Sequence, residues 1–140
     1  MKNKTLIRYT LCILNAGIIF IGCKKETSES ELTPQQKLVG TWKIDKTSLG
    51  SASASNTGTI TFNDCSTDSC TGSGYQASDN TTGGFIWKLV NNNTQIAFRD
   101  TSPNDGGYWN GTYDIVTLTK TNLTFQVNTI LGLGKNECSK

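Results

Sequence analysis

From Trp42 to Val127 the chain repeats one pattern: a short run with an apolar residue at every second position, then a cluster of turn formers. A period of two is the signature of strands that bury one face. Trp42-Lys43-Ile44-Asp45-Lys46 alternates apolar and charged residues, and Thr59-Ile60-Thr61-Phe62-Asn63 puts Ile60 and Phe62 on one side. Ser73-Gly74-Tyr75-Gln76-Ala77 is a weaker run. Phe85, Trp87 and Leu89 share a face, and Asn91-Asn92-Asn93 turns tightly into Gln95-Ile96-Ala97-Phe98-Arg99. Trp109, Gly111, Tyr113 and Ile115 lie on one side of the next run. Ile115-Val116-Thr117-Leu118 breaks the alternation, which predicts a bulge. Leu123-Thr124-Phe125-Gln126-Val127 is a clean alternating strand. Seven such strands, with only two prolines and abundant Gly, Ser, Thr and Asn between them, predict an all-β domain.

One short helix precedes the strands. Thr33 is placed to cap it, Pro34 suits its first position, and Gln36 completes a capping box. Gly40 suits its end, which leaves one or two turns. A helix this short is unstable alone. Trp42, just round the corner, is the expected partner for its apolar end at Leu38 and Val39.

Upstream, residues 1–22 read as a signal peptide. Lys2, Lys4 and Arg8 precede an apolar stretch from Leu11 to Gly22. As a helix that stretch spans about 18 Å, short of the ~30 Å hydrocarbon core of a bilayer. It ends in Phe20-Ile21-Gly22-Cys23-Lys24-Lys25-Glu26, and a small residue directly before Cys resembles the bacterial lipobox. The resemblance implies cleavage after Gly22 and lipidation of Cys23. Residues 23–33 then form a polar, disordered tether, and residues 34–140 the barrel domain. The charged run after Cys23 resembles the surface-export signal of Bacteroidetes lipoproteins, so the expected location is the cell envelope, at the outer membrane. Two or more acyl chains hold a protein firmly where one does not.

Loop lengths favour an up-and-down antiparallel β-barrel over a sandwich. The turns at Asn63–Cys70, Asn91–Asn93 and Lys120–Asn122 are expected at the end where the helix enters. Longer loops at Ser48–Asn56, Asp79–Gly84 and Asp100–Gly107 are expected at the other. Leu38-Val39-Gly40-Thr41-Trp42-Lys43-Ile44, Thr59–Asn63, Tyr113-Asp114-Ile115 and Leu123-Thr124-Phe125 resemble the lipocalin-like domains of Bacteroidetes lipoproteins. Gly40-Thr41-Trp42 is similar to the lipocalin Gly-x-Trp motif. The resemblance implies an eight-stranded calyx. No eighth strand is evident after Gly134, so either Thr129–Leu133 extends an edge or the barrel stays open.

Chemistry is sparse. The chain has no His, the commonest general base and metal ligand, and no nucleophile–base pair, so no enzyme, metal or cofactor is expected. Removing residues 1–22 leaves ten Lys/Arg against eleven Asp/Glu, a net charge of −1 with no basic stripe for nucleic acid. Asn63-Asp64-Cys65-Ser66-Thr67-Asp68-Ser69-Cys70 admits three readings. A closed zinc site lacks ligands. For calcium, Asp64 and Asp68 lack the loop pattern and the bidentate Glu. An exported protein meets an oxidising compartment, which favours a Cys65–Cys70 disulfide. Cys138 is expected at the opposite end of the barrel, free or paired between chains.

The aromatics Tyr75, Phe85, Trp87, Tyr108, Trp109 and Tyr113 either line a ligand cavity or fill the barrel. An eight-stranded interior has room for side chains or one small ligand, so bulky rings favour filling. Trp109, beside a long loop, is the best candidate for the mouth. The expected function is a lipid-anchored binding module taking a small apolar or amphipathic ligand through Trp87, Trp109, Tyr113 and Tyr75. The alternative is a filled barrel that meets a protein or glycan through its loops. Nothing in the residues sets an oligomeric state.

Overall fold

The computed structural model describes residues 28–65, 69–101 and 109–140. The leader, Cys23, Asp68, Tyr108 and the loop around Pro103 lie outside them. The chain enters through a 3-10 turn at Glu29–Glu31, inside the stretch expected to be tether. Glu29 Oε1 accepts a bond from Lys120 N (3.2 Å), which ties this turn to the chain between Leu118 and Asn122.

Helix α1, Pro34–Leu38, starts as its residues require. Thr33 Oγ1 accepts from Gln36 N and Gln36 Oε1 accepts from Thr33 N, completing the capping box. It buries Leu38 fully. Trp42 lies against it, also fully buried, and its indole N–H donates to Leu38 O at 2.7 Å. Lys140 holds the same corner from outside. Its Nζ donates to Lys37 O (2.9 Å) and Val39 O (2.6 Å) and lies 4.2 Å from the Trp42 ring centroid. A cation at these carbonyls complements the negative end of the helix and the face of the indole.

Eight antiparallel strands follow: β1 (Gly40–Leu49), β2 (Ala52–Phe62), β3 (Cys70–Gln76), β4 (Thr81–Val90), β5 (Gln95–Asp100), β6 (Gly111–Leu118), β7 (Asn122–Thr129) and β8 (Gly132–Ser139). Each pairs with its sequence neighbour, and β8 returns to pair with β1, so the barrel is closed. The expected bulge in β6 is present between Ile115 and Thr117, and it turns Val116 outward. Asn91, Asn92 and Asn93 all take positive φ (49°, 56° and 65°), which Asn tolerates better than other side chains.

Three expectations are corrected. First, the tail is neither an edge at Thr129–Leu133 nor an open end: β8 runs through Ser139, paired on both sides. Its inward positions are Gly134, Asn136 and Cys138, which carry no apolar alternation to read. Second, Ser48–Asn56 is not a loop, because β1 and β2 remain paired to Leu49↔Ala52 around a tight turn at Gly50 and Ser51. Likewise Thr81–Gly84 belongs to β4, paired with β3. Small side chains have weak strand preference of their own, and here pairing with one neighbouring strand, β1 for Ala52–Ser55 and β3 for Thr81–Gly84, overrides it. Third, Cys138 sits at the helix end, opposite Ile44 and Leu123, and is a buried free thiol.

The Cys65–Cys70 disulfide forms, with Cα atoms 5.4 Å apart. Gln35 of α1 donates to Cys65 O (3.1 Å) and reaches both sulfurs, so helix and disulfide brace one another. Closing a loop this short stabilises by about 2 kcal/mol in the loop-entropy model. A Cys65→Ser/Cys70→Ser variant is therefore expected to lose about 2 kcal/mol in urea denaturation.

The lower interior is filled. Phe62, Phe85, Trp87, Phe98 and Phe125 are all buried. Phe98 sits among them, edge-on to Phe85 at 5.2 Å and 5.9 Å from Phe125. Two glycines on β3 admit this packing. A Cβ on Gly72 would lie 2.3 Å from the Phe85 ring, and one on Gly74 would lie 2.1 Å from Trp109 Nε1. The rings sit against bare backbone, which is why β3 looks weak as a sequence yet pairs with both neighbours.

Burial pushes the Cys138 thiol up to about 12, and the carboxylates of Asp45 and Glu137 add to the effect. The unfolded thiol ionises near its ordinary value of 9.0, so between the two the folded chain binds more protons than the unfolded one. The contribution of this site to stability is complete below pH 9 and is lost as pH rises toward 12. Tyr113, whose burial raises its phenol, acts in the same direction. Denaturation midpoints are expected to fall as pH rises from 9 upward. Iodoacetamide at pH 8 is expected to leave the Cys138 peptide unlabelled in native protein and to label it in urea.

Candidate functional site

Above the aromatic layer, at the end opposite α1, the barrel opens into a cavity of about 550 Å³. Its lining combines two kinds of side chain. Trp109 and Tyr113 supply an aromatic side, and Thr47, Thr57, Gln76 and Asn136 supply an uncharged polar side. Tyr113 is held edge-on by Phe98 (5.4 Å) and Phe125 (5.6 Å), so this wall stands directly on the core. Trp109 is 5% exposed and lies 5.7 Å from Phe85 and 5.8 Å from Phe98. The sequence alternatives of filled barrel and cavity thus describe two halves of one interior.

The polar wall depends on a bulge in β1. Trp42 and Ile44 point inward, and strict alternation would send Lys46 in after them, a buried ammonium without a partner. The ladder instead shifts register at Asp45, against both β2 and β8. Lys46 turns out to solvent and Thr47 turns in. Thr47 Oγ1 donates to Asn136 Oδ1 on β8 (2.8 Å) and lies 2.8 Å from Thr57 Oγ1 on β2. A hydroxyl has one hydrogen, and that of Thr47 goes to Asn136, so Thr57 donates to Thr47. The relay therefore has a direction, with acceptor capacity at the Thr57 end and the amide donors at the Asn136 end.

The four aromatic candidates separate. Trp109 and Tyr113 line the cavity. Trp87 does not: it is buried lower down, and its indole N–H donates to Thr71 O at 3.0 Å. Tyr75 does not either, because Gly72 and Gly74 take the inward positions of β3. It lies on the outer surface with its hydroxyl donating to Asn80 Oδ1 (3.2 Å). Sequence reasoning missed Thr47, Thr57, Gln76 and Asn136. The one usable signal was Lys46 standing next in an inward series.

Among the described residues no group of three or more His, Cys, Asp or Glu side chains converges as a metal site requires. Among them also, no helix is long and apolar enough to cross a membrane. The chain matches no protein-family model and no curated protein.

Proposed function

We propose that this is a lipid-anchored protein of the cell envelope, with a lipocalin-like barrel that holds a small amphipathic ligand in its open end. The observation that carries the reading is the cavity of about 550 Å³ lined by both aromatic and hydrogen-bonding side chains. Its size falls within the range typical of small-molecule sites, ~300–1,000 Å³. The lipobox-like run ending in Cys23 supports the anchor. Native mass spectrometry of the full chain released from membranes tests the ligand: a retained small molecule, lost from a Trp109→Ala variant, is the expected result. Palmitate labelling tests the anchor, and equal incorporation into the wild type and Cys23→Ala would refute it.

A second reading rests on a different observation. Leu49 is 38% exposed, Leu133 41%, Leu131 69% and Ile130 fully exposed, all around the β7–β8 turn at the rim. Apolar side chains gathered at a rim favour contact with a protein partner. A photo-crosslinking residue at position 131 tests it in cells. A discrete protein adduct supports partner contact, and its absence leaves the ligand reading alone.

A further inference from the structure

Resting on the ligand-binding reading, we infer that the cavity takes an uncharged saccharide. A mono- or disaccharide would sit with a ring face toward Tyr113, beside the small exposed part of Trp109, and adjacent hydroxyls on the Thr57–Thr47–Asn136 relay.

Charge is the first ground. No Asp, Glu, Lys or Arg lines the cavity among the described residues. A carboxylate or phosphate brought into it would lose water and meet no opposite charge, which is costly. The bulge at Asp45 is what removes Lys46 from this wall, so neutrality is built by the backbone.

Polarity is the second. A fatty chain in the cavity would strip water from the Thr47, Thr57, Gln76 and Asn136 side chains and return no hydrogen bonds. A saccharide returns them. Each hydroxyl both donates and accepts, and two hydroxyls on neighbouring carbons can give a hydrogen to Thr57 Oγ1 and take one from Asn136 Nδ2. The relay of 2.8 Å bonds through Thr47 orients both groups before any ligand arrives, which lowers the cost of ordering them on binding.

The aromatic lining is the third. A pyranose ring has one face made largely of C–H groups, and that face needs an apolar surface that is flat and stiff. Trp109 and Tyr113 are braced by Phe85, Phe98 and Phe125. Gly74 leaves the space that the indole occupies, since a Cβ there would lie 2.1 Å from Trp109 Nε1.

The test uses the full chain in phosphatidylcholine nanodiscs, free of sugar-based detergent, and follows the Trp109 indole N–H resonance, assigned with Trp109→Phe. The probes are glucose, galactose, mannose, N-acetylglucosamine and their common disaccharides in one arm, and dodecanoate and dodecanol in the other. The expected result is a saturable shift with at least one saccharide, weakened about tenfold by Thr57→Val and by Asn136→Leu, the scale of one lost hydrogen bond. Unchanged denaturation midpoints in the two variants show that binding, not folding, was lost. A response to dodecanoate or dodecanol alone overturns the saccharide inference and leaves ligand binding standing. No response in either arm overturns both.

Discussion

Trp42→Ala is expected to lower unfolding stability by about 4 kcal/mol, the range for deleting a large buried aromatic. The side chain is fully buried, and more than its area depends on it. Its N–H bonds Leu38 O, and its ring carries the ammonium of Lys140, which in turn holds Lys37 O and Val39 O. Removing the indole leaves a cavity under α1 and deprives a five-residue helix of its main support. Trp42→Phe separates the two effects. It keeps most of the apolar contact and loses the N–H, so a smaller cost of about 1–2 kcal/mol is expected. Urea denaturation of both variants is the measurement. A loss below about 1 kcal/mol in Trp42→Ala would mean that the helix does not seal the barrel.

Gly58→Ala is the second large effect, expected at about 3 kcal/mol for overpacking that only the backbone could relieve. Gly58 sits where β2 meets the register shift, paired with Ile44 on one side and Gln76 on the other. Its φ is +152°, and a Cβ there would stand 1.8 Å from Tyr75 O. No flexible side chain can move out of the way, because the obstacle is a strand carbonyl. Gly134→Ala is the control. It adds the same methyl group to an inward glycine near the mouth, where the closest contact is Val127 Cγ1 at 3.4 Å. A change within about 0.5 kcal/mol is expected there. Equal losses in the two variants would show that the cost is generic to strand glycines and does not come from this junction.

The parts of the fold that were legible in the sequence are those where the chain buries apolar side chains at period two. Ile60 and Phe62, Phe85 and Trp87, and Leu123 and Phe125 all face inward as their spacing requires. Capping at Thr33 and Gln36 was equally plain, because a capping box is a local device. What escaped was the polar half of the interior. β8 places Gly134, Asn136 and Cys138 inward, and β3 places Gly72, Gly74 and Gln76 inward. Neither series looks like a buried face, because Asn136 and Gln76 border the cavity while Gly72 and Gly74 lie beneath aromatic rings. The side chains that hid β8 from a hydropathy reading are thus part of what makes the site. Misplacing Cys138 came directly from this. Without an eighth strand to carry it back, the tail had no route to the helix end.

The 3-10 turn at Glu29–Glu31 sets a geometric limit on the anchor. At Ser28 the chain is already pinned beneath the barrel through Glu29 and Lys120. With Cys23 acylated as proposed, five residue steps separate the lipid from that point, at most about 18 Å of extended backbone. The closed base must then rest near the lipid headgroups while the opening looks away from them. Cargo would be exchanged with the aqueous side and could not be drawn up from the leaflet beneath.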